Sequence, residues 1–138
     1  RVVAADVDGD GADEVVVTEG DLPYQGDRRA RLGVFDPPEW TPTVLHDDLS
    51  NPHSLQVADL DGDGNPDVYV AEMGLDGKET PRMFIYRNTD EGFERVEIDR
   101  GVATHEAKAV DVTGDGSLDI VGKSYGPDCH VDVWYRQD

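Results

Sequence analysis

Three short stretches concentrate carboxylates at regular spacing: DVDGDGADE at residues 6–14, DLDGDGNPD at 59–67 and DVTGDGSLD at 111–119. In the second, Asp59, Asp61 and Asp63 hold positions 1, 3 and 5 of a nine-residue loop, with Asn65 at 7 and Asp67 at 9. Alternate residues of a tight loop turn their oxygens toward one centre, and Gly62 and Gly64 permit backbone angles closed to residues with a Cβ. Four carboxylates and the main-chain carbonyl of Asn65 form an all-oxygen cage. Ca²⁺ accepts roughly six to eight oxygens in flexible geometry, whereas Mg²⁺ demands octahedral order and keeps its waters. Zinc and copper draw on His or Cys, which the loops lack. The first loop carries Glu14 at position 9 and offers the Ala12 carbonyl; the third has Thr113 where the others have Asp8 and Asp61, so the weakest affinity is expected there.

Two other readings of the pattern fail. An EF-hand needs a bidentate Glu at position 12 and flanking helices, but Val17, Val70 and Gly122 stand at that position and no helical periodicity surrounds it. A plain turn explains Asp and Gly, since both favour turns. It does not explain four carboxylates held together without a counterion, because their repulsion would loosen the loop.

Such loops need a frame that presents them alike. Aligning Asp6, Asp59 and Asp111 gives offsets of 53 and 52 residues, which is a repeat. Each loop follows a short apolar run (2–5, 55–58, 107–110) and precedes a β-branched one: EVVVTE, DVYVAE and DIVGKS. Val, Ile and Tyr favour the pleated surface, so both flanks read as strands. RLGVFD, RMFIYR and HVDVWY supply a third strand, and WTPTVLH and FERVEID a fourth, which the last copy lacks. Four short antiparallel strands per repeat, divided by Gly, Pro and Asp turns, describe a propeller blade. The expected architecture is all-β: a β-propeller segment of two full four-stranded antiparallel blades, about 1–50 and 51–102, plus most of a third, 103–138. A propeller closes with roughly 4–8 blades, so the ring is completed either by further blades of a parent chain or by self-association.

The chain has 12 basic against 31 acidic residues, a formal charge of −19. Nucleic-acid binding rests on neutralising phosphates with Lys and Arg, so that partner is excluded, whereas cations are favoured. Even three bound Ca²⁺ would leave the chain acidic, as expected of a solvated surface. No apolar run approaches the roughly 18 residues of a membrane span. Arg1-Val2-Val3 opens directly on a strand-like run without Met or signal sequence, as a piece of something longer would. Cys129 is the one cysteine, so no intramolecular disulfide forms, and a small buried hydrophobe is its expected role.

The pattern D-x-D-G-D-G-x-x-D between two strands, repeated about every 52 residues, resembles the FG-GAP/VCBS repeat family, whose calcium-loop blades also build integrin α-subunit propellers. The resemblance implies calcium ligands at Asp6, Asp8, Asp10, Ala12 (carbonyl) and Glu14, and at Asp59, Asp61, Asp63, Asn65 (carbonyl) and Asp67. In the third copy they fall on Asp111, Thr113, Asp115, Ser117 (carbonyl) and Asp119. It also implies a seven-bladed or similar propeller in which up to three Ca²⁺ brace these blades, located outside the cell, in the periplasm or at the cell surface. Calcium at millimolar level there suits modules of modest affinity.

Beyond calcium, His53 and His105 each stand six residues before their loops. Equivalent positions in adjacent blades set them side by side at the end of the first strand opposite the loop. Such a pair can bind a transition metal or serve as acid and base, with Glu106, Lys108 and Lys123 on the same rim. Trp134, Tyr135 and Tyr125 invite a carbohydrate platform, but Phe35, Phe84 and Tyr86 at nearby positions of the other copies favour packing between blades. No nucleophile elbow, P-loop or zinc motif is present. Two functions fit: a calcium-stabilised scaffold recognising carbohydrate or protein, and part of a propeller enzyme acting on sugars, of the polysaccharide lyase or sugar dehydratase type that the resemblance implies.

Overall fold

A computed structural model describes residues 1–20, 29–75, 80–124 and 129–137. Among them the β-branched runs form strands and no helix occurs. The first copy contributes β1 (Val2–Ala5), β2 (Glu14–Thr18), β3 (Ala30–Asp36) and β4 (Thr41–Leu49). The second contributes β5 (Pro52–Ala58), β6 (Asp67–Glu72), β7 (Arg82–Thr89) and β8 (Gly92–Arg100), and the third β9 (Glu106–Val110), β10 (Asp119–Lys123) and β11 (Val131–Trp134). Each copy is one antiparallel meander, ordered β1-β2-β3-β4, β5-β6-β7-β8 and β9-β10-β11. The fold class read from the repeat is what the chain adopts.

The repeat is kept at the level of register. Ala5 pairs with Glu14, Ala58 with Asp67 and Val110 with Asp119, so each acidic loop leaves and re-enters its sheet at the same rung. Between sheets, β5 packs against both β1 and β9, which makes the first strand of each meander the shared inner edge. The Ala107 N–H donates to Ser54 Oγ at 2.9 Å, and the Asn88 side chain donates to the Val7 carbonyl at 2.6 Å, binding each sheet to the next.

Alternation explains the core. Successive strand residues point to opposite faces, and every residue of β6 is buried. Val68 and Val70 join Leu32, Leu49, Leu55 and Phe84 in a cluster facing the first sheet. Tyr69 and Ala71 join Leu60, Met83, Ala107 and Ile120 facing the third. The middle sheet is therefore apolar on both sides, and DVYVAE reads as continuous rather than alternating. Trp134 packs against the second cluster, and its indole N–H donates to Asp99 Oδ2 at 2.6 Å. The ring spends itself on blade packing; Tyr125 lies outside the described residues. Cys129 corrects an expectation: it is exposed. It precedes β11, the outermost strand of the third sheet, where no fourth strand lies over it among the described residues.

Two polar devices hold the sheets, the first of them repeated across the second hairpin of two blades. Glu72, 1% exposed, accepts from the Ser50 and Arg82 main-chain N–H groups at 2.7 and 2.9 Å, and Arg82 closes a fork on it at 3.0 and 2.7 Å. Glu19 and Arg31 repeat this fork in the first blade. The second device is His46 on β4, whose Nδ1 meets the Tyr86 hydroxyl and whose Nε2 faces the Arg95 guanidinium at 3.2 Å. An arginine only donates, so Nε2 accepts and the neutral ring carries its proton on Nδ1. Burial, then Arg95 and Arg82, hold the His46 pKa below the usual 6.5, with Asp48 and Glu72 opposing.

A lowered folded-state pKa means that the unfolded chain takes up this proton first, so stability falls as pH drops through about 6.5. Melting temperatures between about pH 7 and pH 5 should decline, and decline less steeply in His46→Gln. Equal slopes would mean that the folded chain protonates His46 without penalty.

Candidate metal centre

Each acidic loop is wound by its own carboxylates. Asp59 at position 1 accepts from the Gly62 N–H at 2.6 Å and the Gly64 N–H at 3.0 Å; Asp61 accepts from Asp63 at 3.2 Å and Asp63 from Asn65 at 2.8 Å. Asp6, Asp8 and Asp10 repeat these bonds to Gly9, Gly11, Asp10 and Ala12 at 2.8–3.0 Å. Asp111 accepts from Gly114 and Gly116 at 2.6 and 2.9 Å, and Asp115 from Ser117 at 2.8 Å. The two loop glycines have φ of 79 and 95°, 77 and 96°, and 78 and 92° in the three copies, a region where a Cβ is strained. Ala12, Asn65 and Ser117 are thus fixed through their N–H groups to the position 5 carboxylate.

Position 9 is different in kind. Glu14, Asp67 and Asp119 are 1%, 0% and 3% exposed. Each turns one oxygen back on its loop: Glu14 Oε2 accepts from Val7 and Asp8 at 2.7 and 3.3 Å, Asp67 Oδ2 from Leu60 and Asp61 at 2.9 and 3.2 Å, and Asp119 Oδ2 from Val112 at 3.2 Å. The other oxygen of Asp67 accepts from the Asn88 N–H at 2.9 Å and that of Asp119 from Arg136 at 3.0 Å. Burial raises the Asp67 pKa, and the N–H groups of Asn88 and Leu60 only partly offset this.

The carboxylates converge unequally. Oxygens of Asp6, Asp8 and Asp10 lie within 4.8 Å of one another, as do those of Asp59, Asp61 and Asp67. That spacing suits oxygens around one Ca²⁺ at about 2.3–2.6 Å. Asp63 does not join its trio, and the third loop makes no such trio among the described residues. There the Thr113 hydroxyl turns to Asp111, and the Ser117 N–H and then Thr113 hold the Asp115 pKa below its usual value. Asp36, at the end of β3, comes within the same 4.8 Å of Asp8 and Glu14. The sequence reading missed it because nothing local marks it; only the pairing of β2 with β3 brings it there.

The opposite end of the first strands gathers the other candidates. His53 and His105 stack with centroids 4.3 Å apart and planes at 25°. Lys123 Nζ lies 3.2 Å from His105 Nδ1; Arg1 reaches His53 Nδ1 at 2.7 Å and Glu106 at 3.3 Å. Lys108 pairs with Glu106 at 3.0 Å rather than facing the histidines. His53 Nδ1 is also 3.0 Å from the His105 carbonyl; it accepts from Arg1 when unprotonated and donates to the carbonyl when protonated. Burial, then His53, Lys123 and Arg1, lower the His105 pKa, against Glu106. A transition metal shared by the pair does not fit. Imidazole lone pairs lie in the ring plane, so stacked rings do not converge on one ion, and both Nδ1 atoms already face cationic donors.

Meanders in one register, joined along their first strands and carrying one acidic loop each, are blades of a β-propeller. The family model for the FG-GAP-like repeat matches residues 6–70 and again 59–122, windows that overlap on the second loop. The chain belongs to the FG-GAP-like repeat family. No curated protein matches the sequence.

The position 9 bonds separate a structural from an ionic role. Asp67→Ala leaves three N–H groups without their acceptor, at about 1–3 kcal/mol each. Urea denaturation in chelator should show a loss on the order of 3 kcal/mol or more. A loss confined to calcium-containing buffer would contradict this role.

Proposed function

We propose that this chain is a calcium-binding segment of a secreted, periplasmic or cell-surface propeller, in which ions brace the acidic corners and the opposite face recognises a carbohydrate or protein partner. The observation that carries the reading is recurrence: carboxylates at positions 1, 5 and 9 stand in the same register in all three loops, and the first two add one at position 3. A turn alone needs no carboxylate at both positions 1 and 3 beside a buried one at 9. The net charge of −19 favours cations and disfavours nucleic acid. No helix among the described residues is long and apolar enough to cross a membrane. Further blades of the parent chain, or second copies of this one, complete the ring.

The ions bind through the side chains of positions 1, 3, 5 and 9, all carboxylates except Thr113, and the carbonyl at 7, and they add stability by binding the folded state alone. Asp61→Ala should melt below the parent chain in millimolar calcium and close to it in chelator, with one fewer ion bound by calorimetry. An equal deficit in both buffers would reduce the loop to a turn.

The histidine end favours a second reading, an enzyme acting on sugars. A neutral imidazole with a lowered pKa is a proton acceptor near neutral pH, and Lys123 faces His105 while Arg1 faces its stacked partner His53, cations suited to an acidic sugar. In that reading further blades supply the rest of the site. Incubation of the complete propeller, with these blades joined to the others, with an acidic polysaccharide should then yield an unsaturated product by ultraviolet absorbance, lost in His105→Ala; no product from that folded, calcium-loaded propeller counts against it.

A further inference from the structure

Val68 pairs with Tyr86 and Ile120 with Trp134, and two residues beyond these partners stand Asn88 and Arg136. Each serves two loops at once. Its main-chain N–H goes to the buried carboxylate of its own blade, Asn88 to Asp67 at 2.9 Å and Arg136 to Asp119 at 3.0 Å. Its side chain crosses to the preceding blade and donates to a carbonyl within that blade's acidic loop: Asn88 Nδ2 to Val7 at 2.6 Å, and Arg136 Nη2 to Asp61. A Cβ at Gly62 would lie 2.9 Å from Arg136 Nη1, so the bare glycine leaves the place that the guanidinium takes.

The carbonyls so held belong to peptide units whose N–H groups serve carboxylates of the same loop. The Asp8 N–H, in the unit of the Val7 carbonyl, goes to Glu14 Oε2 at 3.3 Å, and the Gly62 N–H, in the unit of the Asp61 carbonyl, goes to Asp59 Oδ1 at 2.6 Å. Hydrogen bonds in series polarise one another. Here a series runs from Glu14 through the Val7–Asp8 unit and Asn88 to Asp67. Asp67 accepts from the Asp61 N–H at 3.2 Å, and Arg136 carries the line on from the Asp61 carbonyl to Asp119. Two residues beyond Phe35, the partner of Val15, the first blade has Pro37, which lacks an N–H, so the line ends at Glu14.

We propose that Asn88 and Arg136 are positioning residues that couple the acidic loops of neighbouring blades, so that an ion bound at one loop tightens binding at the next. The coupling rests on the calcium reading above. When the second loop is ordered around an ion, Asp67 fixes Asn88 through its N–H, and the Asn88 side chain in turn fixes the first loop at Val7. Order imposed by one ion need not be imposed again by the other, which gives positive cooperativity without a change of fold. By reciprocity, the first loop tightens the second by the same factor.

Calcium titration of the whole chain by calorimetry tests this as a double-mutant cycle. The first-loop event is the one lost in Asp8→Ala, and Asp61→Ala disables the second loop. Asp61→Ala should weaken the first-loop event about fivefold or more, although it changes no residue of the first blade. In Asn88→Ala, which keeps the N–H that serves Asp67, the first-loop event should already be weak, and adding Asp61→Ala should leave it unchanged. Arg136→Ala, a change at an exposed residue, puts the same question to the second and third loops should Asn88→Ala not fold. Loss of its charge alone would only tighten calcium at the second loop, whereas loss of coupling makes the second-loop event indifferent to Asp115→Ala. A first-loop event that ignores Asp61→Ala, or that responds equally with and without Asn88, overturns the coupling and leaves the calcium reading standing. A folded parent that binds no calcium overturns both.

Discussion

Glu14, Asp67 and Asp119 enter the fold as carboxylates with almost no exposure, and a charge leaves water only where donors replace its hydration. One oxygen of each takes the N–H at position 2 of the preceding loop, and for Glu14 and Asp67 that at position 3 as well, so the loop must curl back over the head of the second strand. Once it does, the carboxylates at positions 1 and 5, and at 3 in the first two loops, are left on its outer side, each tied to an N–H further along. The arrangement that offers oxygens to a cation is thus a by-product of satisfying a buried one. Because strand pairing starts at the same rung in every copy, one buried carboxylate per blade sets both the corner and the register.

That dependence explains what the sequence could tell. Loop spacing, period and β-branched flanks are local patterns, and the three sheets follow from them. The adjacency of His53 and His105 was legible too, because equal offsets from equivalent loops must coincide once the first strands pack side by side. Asp36 was not legible: its nearness to Glu14 is created by the β2–β3 pairing, across chain that carries no acidic motif. The Glu19–Arg31 and Glu72–Arg82 forks escaped for the same reason, since the residues of each pair are distant in sequence. Cys129 was misjudged because composition describes the average thiol, whereas its place beside the outermost strand of a three-stranded sheet decides its exposure.

The blades also sort charge along their length. Carboxylates crowd the loop end of the first strands, whereas Arg1, Lys123 and the histidine pair gather at the other, in a chain with 31 acidic and 12 basic residues. Although burial alone would raise it, Lys108 and Arg1 hold the Glu106 pKa below its usual value, so even the carboxylate there sits in a cationic setting. The two ends of the same strands therefore present opposite fields to approaching ions.

The bonds between sheets have a further meaning. Ser54 with Ala107, Val7 with Asn88 and His53 with His105 each join a blade to its immediate neighbour. An assembly held in that way loses structure as a zipper does, because the free energy is a sum over units and the seams between adjacent ones. Within this chain β6 has an apolar seam on each face, and the first and third sheets share one seam each with the middle. Wherever both faces of a blade meet neighbours, as those of the middle sheet do, its amides should be among the last to exchange.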